Sequence, residues 1–264
     1  MTIIKIVACT LLYFACAGRT YAADKARETA YAVELASATP QFGQVLRLGE
    51  PPQRFLALYA ETEQSSNRGT AILLHEMGGH PDKDPFIYLL RRELPKHNWA
   101  TLALQMPVRE QGSTEADYYA LFSEANQRVL EAVRYLALNG TETMVLVGHQ
   151  LGGLMAVSVQ ATAPMHEIKA IVSIGLHVPE TSNPDAQTLI LLKKLKVPLL
   201  DLYGAQDNAN IVSTVRARRI AARDNPDYRQ YKLDNLGAPY WGDQALVVKR
   251  IYSWLSRVIL EKSK

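Results

Sequence analysis

Residues 144–163 read as a strand, a tight turn and a helix built to hold one side chain at an apex. An apolar run (144–147) leads into Gly148-His149-Gln150-Leu151-Gly152-Gly153, and an apolar-periodic segment (151–163) follows at once. This is the context of a nucleophile elbow, the G-x-S-x-G turn that lifts an attacking group above the end of a strand. Gly148 and Gly152 are the bracketing glycines, required because strand and helix backbones pass too close for a side chain. The central residue of a working elbow is Ser, Cys or Asp, but here it is Gln150. A carboxamide oxygen is a weak nucleophile and carries no proton for a neighbouring histidine to remove. Whether the chain is an enzyme at all is therefore the first question.

The elbow sets the register for the other catalytic positions, which follow in the order nucleophile, acid, histidine. The acid position falls on Asp207, in Leu202-Tyr203-Gly204-Ala205-Gln206-Asp207. Asp207 reads either as a catalytic remnant or as the cap of a helix beginning near Ile211. The histidine position falls in 233–241, yet no histidine follows His177, and Tyr240 or Pro239 stands in its place. A phenol with a pKa of about 10 is a poor base near neutral pH. The oxyanion region combines the Leu151 N–H with the loop His75-Glu76-Met77, where the Glu76 carboxylate would oppose a developing negative charge.

His75, His149 and His177 fall at carboxyl ends of predicted strands, with His80, Glu76 and Asp207 as further donors. A zinc-type site is conceivable from these, but their spacing is not diagnostic. They read as hydrogen-bonded loop histidines, so the sequence predicts no metal and no cofactor. Ser158 and Ser173 fall inside a helix and a strand and lack the exposure of an elbow.

The elements that must position these residues alternate. Short extended runs at 44–48 and 55–61 precede apolar runs at 70–74, 100–106, 144–147, 168–174 and 197–202. Helical patterns lie between them at 85–96, 115–138, 151–163 and 186–195, and a helix (212–223), a strand (228–233) and a helix (243–261) close the chain. Eight strands with helices between them, and the elbow after the fifth, predict an α/β-hydrolase fold: a mainly parallel eight-stranded sheet covered on both faces. Residues 173–185 form the sole sizeable insertion near the usual lid position, so little or no lid is expected.

At 264 residues and 48% hydrophobic content the chain can bury one full core. The net charge is +3, and the short basic clusters Lys193-Lys194-Lys196 and Arg216-Arg218-Arg219 read as solvated helical faces, so no nucleic-acid partner is expected. Lys5, the apolar stretch 6–17 and the small residues ending in Ala22-Ala23 read as a signal peptide, cleaved after Ala22 or Ala23. The apolar stretch is shorter than the roughly 20 residues a membrane span needs. Cys9 and Cys16 both lie within the signal, which leaves the exported chain without a thiol. The expected organisation is a signal (1–22), a helical or loose lead-in (23–40) and one domain (41–264).

Several blocks also resemble an uncharacterised family of secreted proteobacterial α/β-hydrolase-like proteins. They are residues 71–82, with Leu74-His75-Glu76-Met77-Gly78-Gly79-His80-Pro81, residues 89–107, residues 197–204, Tyr228-Arg229-Gln230 and Trp254-Leu255. The resemblance implies export, a single hydrolase-fold domain and a Gram-negative periplasm. Members read Leu-His-Gly in the first loop and Gly-Ala-Asp-His near the end, where this chain has Glu76 and Gly237-Ala238-Pro239-Tyr240. The expected function is non-catalytic binding of a small molecule or protein. The alternative is a periplasmic hydrolase of esters or an envelope component that pairs Asp207 with His149 or His75.

Overall fold

A computed structural model describes residues 22–38, 43–237 and 244–262. Eight strands form one sheet in the order β1-β2-β4-β3-β5-β6-β7-β8. They are β1 (Gln44–Leu48), β2 (Phe55–Ala60), β3 (Thr70–Leu74), β4 (Ala100–Leu104), β5 (Met144–His149), β6 (Ile168–Ile174), β7 (Leu199–Gln206) and β8 (Tyr228–Gly237). β2 pairs antiparallel with both β1 and β4, and every pairing from β4 to β8 is parallel. The α/β-hydrolase fold expected from the alternation is the one observed.

The central strands alternate apolar residues between two cores. Ile72, Leu74, Leu102 and Leu146 face one side. Ala71, Leu73, Ala103, Val145 and Val147 face the other. The first core is closed by α4 (Phe122–Leu138), α5 (Leu151–Thr162) and α6 (Thr188–Lys194), through Phe122, Val129, Leu154 and Leu191. The second is closed by α2 (Pro85–Glu93) and α9 (Gln244–Lys262), through Phe86, Leu90, Val247 and Leu255. Burial on both faces is why these strands are nearly continuous apolar runs rather than alternating ones.

The remaining helices are α1 (Lys25–Ala38), α3 (Glu115–Tyr118), α7 (Ala209–Val212) and α8 (Val215–Ala221). The lead-in is thus a helix, and it is tightly docked. Leu35 is buried in the second core, and buried Glu28 takes two hydrogen bonds from Arg128 on α4, both at 2.8 Å. The helix expected over 115–138 divides, because a 3-10 turn at Tyr119–Leu121 separates α3 from α4. The Tyr119 carbonyl accepts from Asn183 Nδ2 (3.1 Å) on the loop after β6, so contacts from a remote segment intrude on the helix. The helix expected over 212–223 likewise divides into α7 and α8.

One reading of the basic clusters is corrected here. Lys193, Lys194, Lys196, Arg216 and Arg219 are exposed, but Arg218 is fully buried against Asp201 and is no part of a solvated face.

The path of the chain decides where a site can lie. After β3 the chain crosses to β4 on one side, then returns to β5 on the other. The reversal opens a crevice at the carboxyl ends of β3 and β5, where open α/β sheets bind ligands. The loop after β3 and the turn after β5 therefore meet there.

Candidate functional site

The turn after β5 keeps the elbow's strained geometry. Gln150 sits at φ 47°, ψ −112°, one of two positive-φ residues other than glycine among those described. Holding a residue with a Cβ there costs about 1–3 kcal/mol. Surrounding contacts impose it: the Gln150 N–H donates to Ile174 O (2.8 Å) and its carbonyl accepts from Leu154 N (3.1 Å). A Cβ on Gly148 would stand 2.3 Å from Gly152 O, and one on Gly152 would stand 2.2 Å from Leu74 O. Neither position tolerates a side chain. The architecture that presents a nucleophile is complete, and it presents a carboxamide. Leu151 opens α5, so its N–H has no acceptor within the helix.

Across the crevice, His75 is buried and its protonation is fixed by its partners. Nε2 accepts from the Met106 N–H (2.9 Å), so Nδ1 carries the proton and donates to Glu76 O (2.6 Å). Burial pushes its pKa down to about 4. His75 is a neutral brace between two loops. His80 faces Glu34 (3.5 Å) and the Tyr31 ring (4.9 Å) of α1, and burial lowers its pKa as well. His177 Nε2 lies 2.6 Å from Glu115 Oε1, tying the loop after β6 to α3. Ser158 and Ser173 are fully buried, as a helix and a strand position predict.

His149 has charged company. Its Nδ1 lies 2.9 Å from Asp84 Oδ2 and 3.9 Å from Glu76 Oε2, and its ring packs 5.0 Å from that of Phe86. Burial would lower its pKa, but the Asp84 carboxylate, with Glu76 and Asp207 behind it, raises it instead. Asp84 is held below its ordinary range despite burial, by His149 and by the backbone N–H groups of Glu76 and Ile87. Asp84 and His149 form a buried ion pair. Burial pushes Glu76 up, against the attraction of His149.

Asp84 is the site residue that sequence reasoning missed. It caps α2, its Oδ1 accepting from Phe86 N (2.9 Å) and Ile87 N (3.1 Å) ahead of Pro85. Asp before Pro at a helix start is a legible signal, but of a cap rather than of a partner for His149. Asp207 does not cap α7, whose N-cap is Asn208; its Oδ2 accepts from Gly204 N (2.7 Å) and closes the turn that ends β7. It lies near enough to act on His149 electrostatically. Tyr240 lies outside the described residues. Glu76 and Met77 are partly exposed at the mouth of the crevice, and α1 holds their loop: Arg27 and Tyr31 both donate to Gly78 O, at 2.8 and 2.9 Å.

Solved structures share this architecture. Est1E from Butyrivibrio proteoclasticus is 16% identical, with TM-score 0.65, over 82% of this chain and 99% of that one. The Pyrococcus furiosus esterase Pf2001 is 14% identical, with TM-score 0.65, over 82% and 92%. The esterase domain of a Rhodothermus marinus protein is 16% identical, with TM-score 0.62, over 82% and 98%. At these identities the likeness is one of fold. No curated protein matches the sequence. The family model described as protein of unknown function (DUF3530) matches residues 15–131 and 111–257, nearly the whole chain. The chain therefore belongs to the DUF3530 family, on an α/β-hydrolase fold.

Proposed function

We propose that the chain is an exported, non-catalytic α/β-hydrolase-fold protein that binds a small molecule or a protein partner at the carboxyl edge of its sheet. Gln150 carries this reading: the elbow's strain is retained around a side chain that cannot attack. Glu76 supports it, since a carboxylate beside the oxyanion position opposes the charge that acyl transfer develops. A strained turn kept without its chemistry suits a binding surface, because fold and reaction are separable.

The alternative, a hydrolase resting on Asp207 with His75 or His149, finds less support. The His75 lone pair is committed to the Met106 N–H, and His149 directs its Nδ1 at Asp84, 2.9 Å away. Periplasmic export is supported by Lys5, the apolar stretch 6–17 and the small residues through Ala23. Among the described residues no helix is long and apolar enough to cross a membrane.

Hydrolysis of short and medium p-nitrophenyl esters, with labelling by a fluorophosphonate probe, tests the reading. Folded protein should be silent in both assays. Turnover that survives purification and disappears in Asp207→Asn would overturn it. The esterases that share its fold make short esters and their acids the first compounds to screen for binding, and Gln150→Arg should weaken whichever binds.

A further inference from the structure

The geometry points to a divalent-cation site of zinc type at the mouth of the crevice, with Glu76 Oε2, Asp84 Oδ2 and His149 Nδ1 as its three protein ligands. One donor atom from each residue lies within 4.8 Å of the other two. The measured separations are 2.9 Å between Nδ1 and Oδ2 and 3.9 Å between Nδ1 and Oε2. Ligand atoms around a tetrahedral zinc with bonds near 2.1 Å stand about 3.4 Å apart, midway between these two values. A small swing of the Glu76 side chain closes the set.

The charge count favours a cation over a simple ion pair. His149 satisfies one carboxylate, Asp84, by a hydrogen bond. Glu76 is 37% exposed and could extend into water, yet it turns inward to the same nitrogen, beyond hydrogen-bond distance of it and beside a fully buried anion. Among the described residues no lysine or arginine pairs with Glu76 or Asp84. Two carboxylates converging on one imidazole nitrogen repel each other unless more positive charge stands between them.

The support around the ligands suits a metal as well. Asp84 is oriented by three backbone N–H groups, from Glu76, Phe86 and Ile87, as outer-shell donors orient metal-bound carboxylates. His149 and Asp84 are nearly or wholly inaccessible, and the exposed Glu76 lies on the route by which an ion would enter. An ion bound there takes the place of the hydrogen on His149 Nδ1, between the two carboxylates. With three protein ligands, one position stays open to water or to an oxygen of a bound molecule. This site stands whether or not Gln150 rules out turnover. The sequence alone named Glu76 and His149 but predicted no metal, since the spacing of its histidines is not diagnostic; Asp84 joins them only in the fold.

Zinc titration of the chelator-stripped chain by calorimetry, followed by metal analysis after dialysis, tests the assignment. The expected result is one zinc per chain. Glu76→Gln should weaken binding at least tenfold while leaving the circular dichroism of the metal-free protein unchanged. His166→Ala, at an exposed surface histidine, should bind zinc like the parent. Asp84→Asn also removes the charged bond that holds His149 and so lowers stability as well as affinity, which makes Glu76→Gln the deciding variant. Absence of stoichiometric zinc, equal affinity in Glu76→Gln, or loss of the zinc in His166→Ala would overturn the assignment.

Discussion

Asp84 and Asp201 are both buried carboxylates, and their surroundings differ in one respect. Asp201, within β7, receives Arg218 Nε (2.8 Å), the Tyr228 hydroxyl (2.6 Å) and Gln230 Nε2 (3.1 Å). Arg218 Nη2 also reaches Asp201 Oδ1 (3.4 Å), and Nη1 donates to Ile211 O (2.8 Å) and Thr214 Oγ1 (2.7 Å). One anion faces one cation, and neutral groups fill the other positions. Burial and the Asp201 charge push the Tyr228 phenol well up, so it stays a donor. Asp84 is as well supplied with N–H groups, but its cation is shared with a second carboxylate, Glu76. A balanced cluster braces β7, β8 and α8; an unbalanced one, open to solvent on one side, is set up to take something in.

The contrast breaks most visibly at Arg218. Arg218→Met strands the Asp201 charge in the interior and should cost about 3–5 kcal/mol in urea denaturation. Adding Asp201→Leu should return much of that loss, since breaking a buried pair is costlier than replacing it. Asp84→Asn keeps a helix-capping oxygen but loses the charge-assisted bond to His149, and should cost about 2 kcal/mol. A loss as large as that of Arg218→Met would show that the Asp84 cluster is a structural brace of the same kind. Gln150→Gly relieves the positive φ at the elbow and should raise the stability by about 1 kcal/mol, read from the shift in urea midpoint. Glu76→Gln should be the mildest change, within about 0.5 kcal/mol in metal-free protein, as suits a partly exposed side chain whose charge is not balanced. Added zinc should then raise the Tm of the parent and leave that of Glu76→Gln nearly unchanged.

Much of this architecture is legible along the chain. The expected runs 70–74 and 168–174 coincide with β3 and β6, because their residues, exposed Lys169 apart, are buried on both faces and leave a nearly continuous apolar signature. The elbow is legible for a different reason: a close backbone crossing admits only glycine, and both glycines are present. Endings were harder to read. β8 continues to Gly237, past the expected 233, because β7 extends to Gln206 and carries it along through a register shift, pairing Gln206 with Gly237. Arg218 was misread because its neighbours Arg216 and Arg219 do face solvent, and a linear cluster does not reveal which member turns inward.

The sequence by itself determined the sheet, the elbow and the carboxamide at its apex. These depend on local periodicity, on glycine sterics and on the identity of one residue. Only the tertiary structure decided which charges meet. Asp84 and His149 stand 65 residues apart and become partners because β3 and β5 are neighbours, whose following loops converge on one crevice. Charge pairing depends on distance in space, which the folded sheet sets and the order of residues does not display.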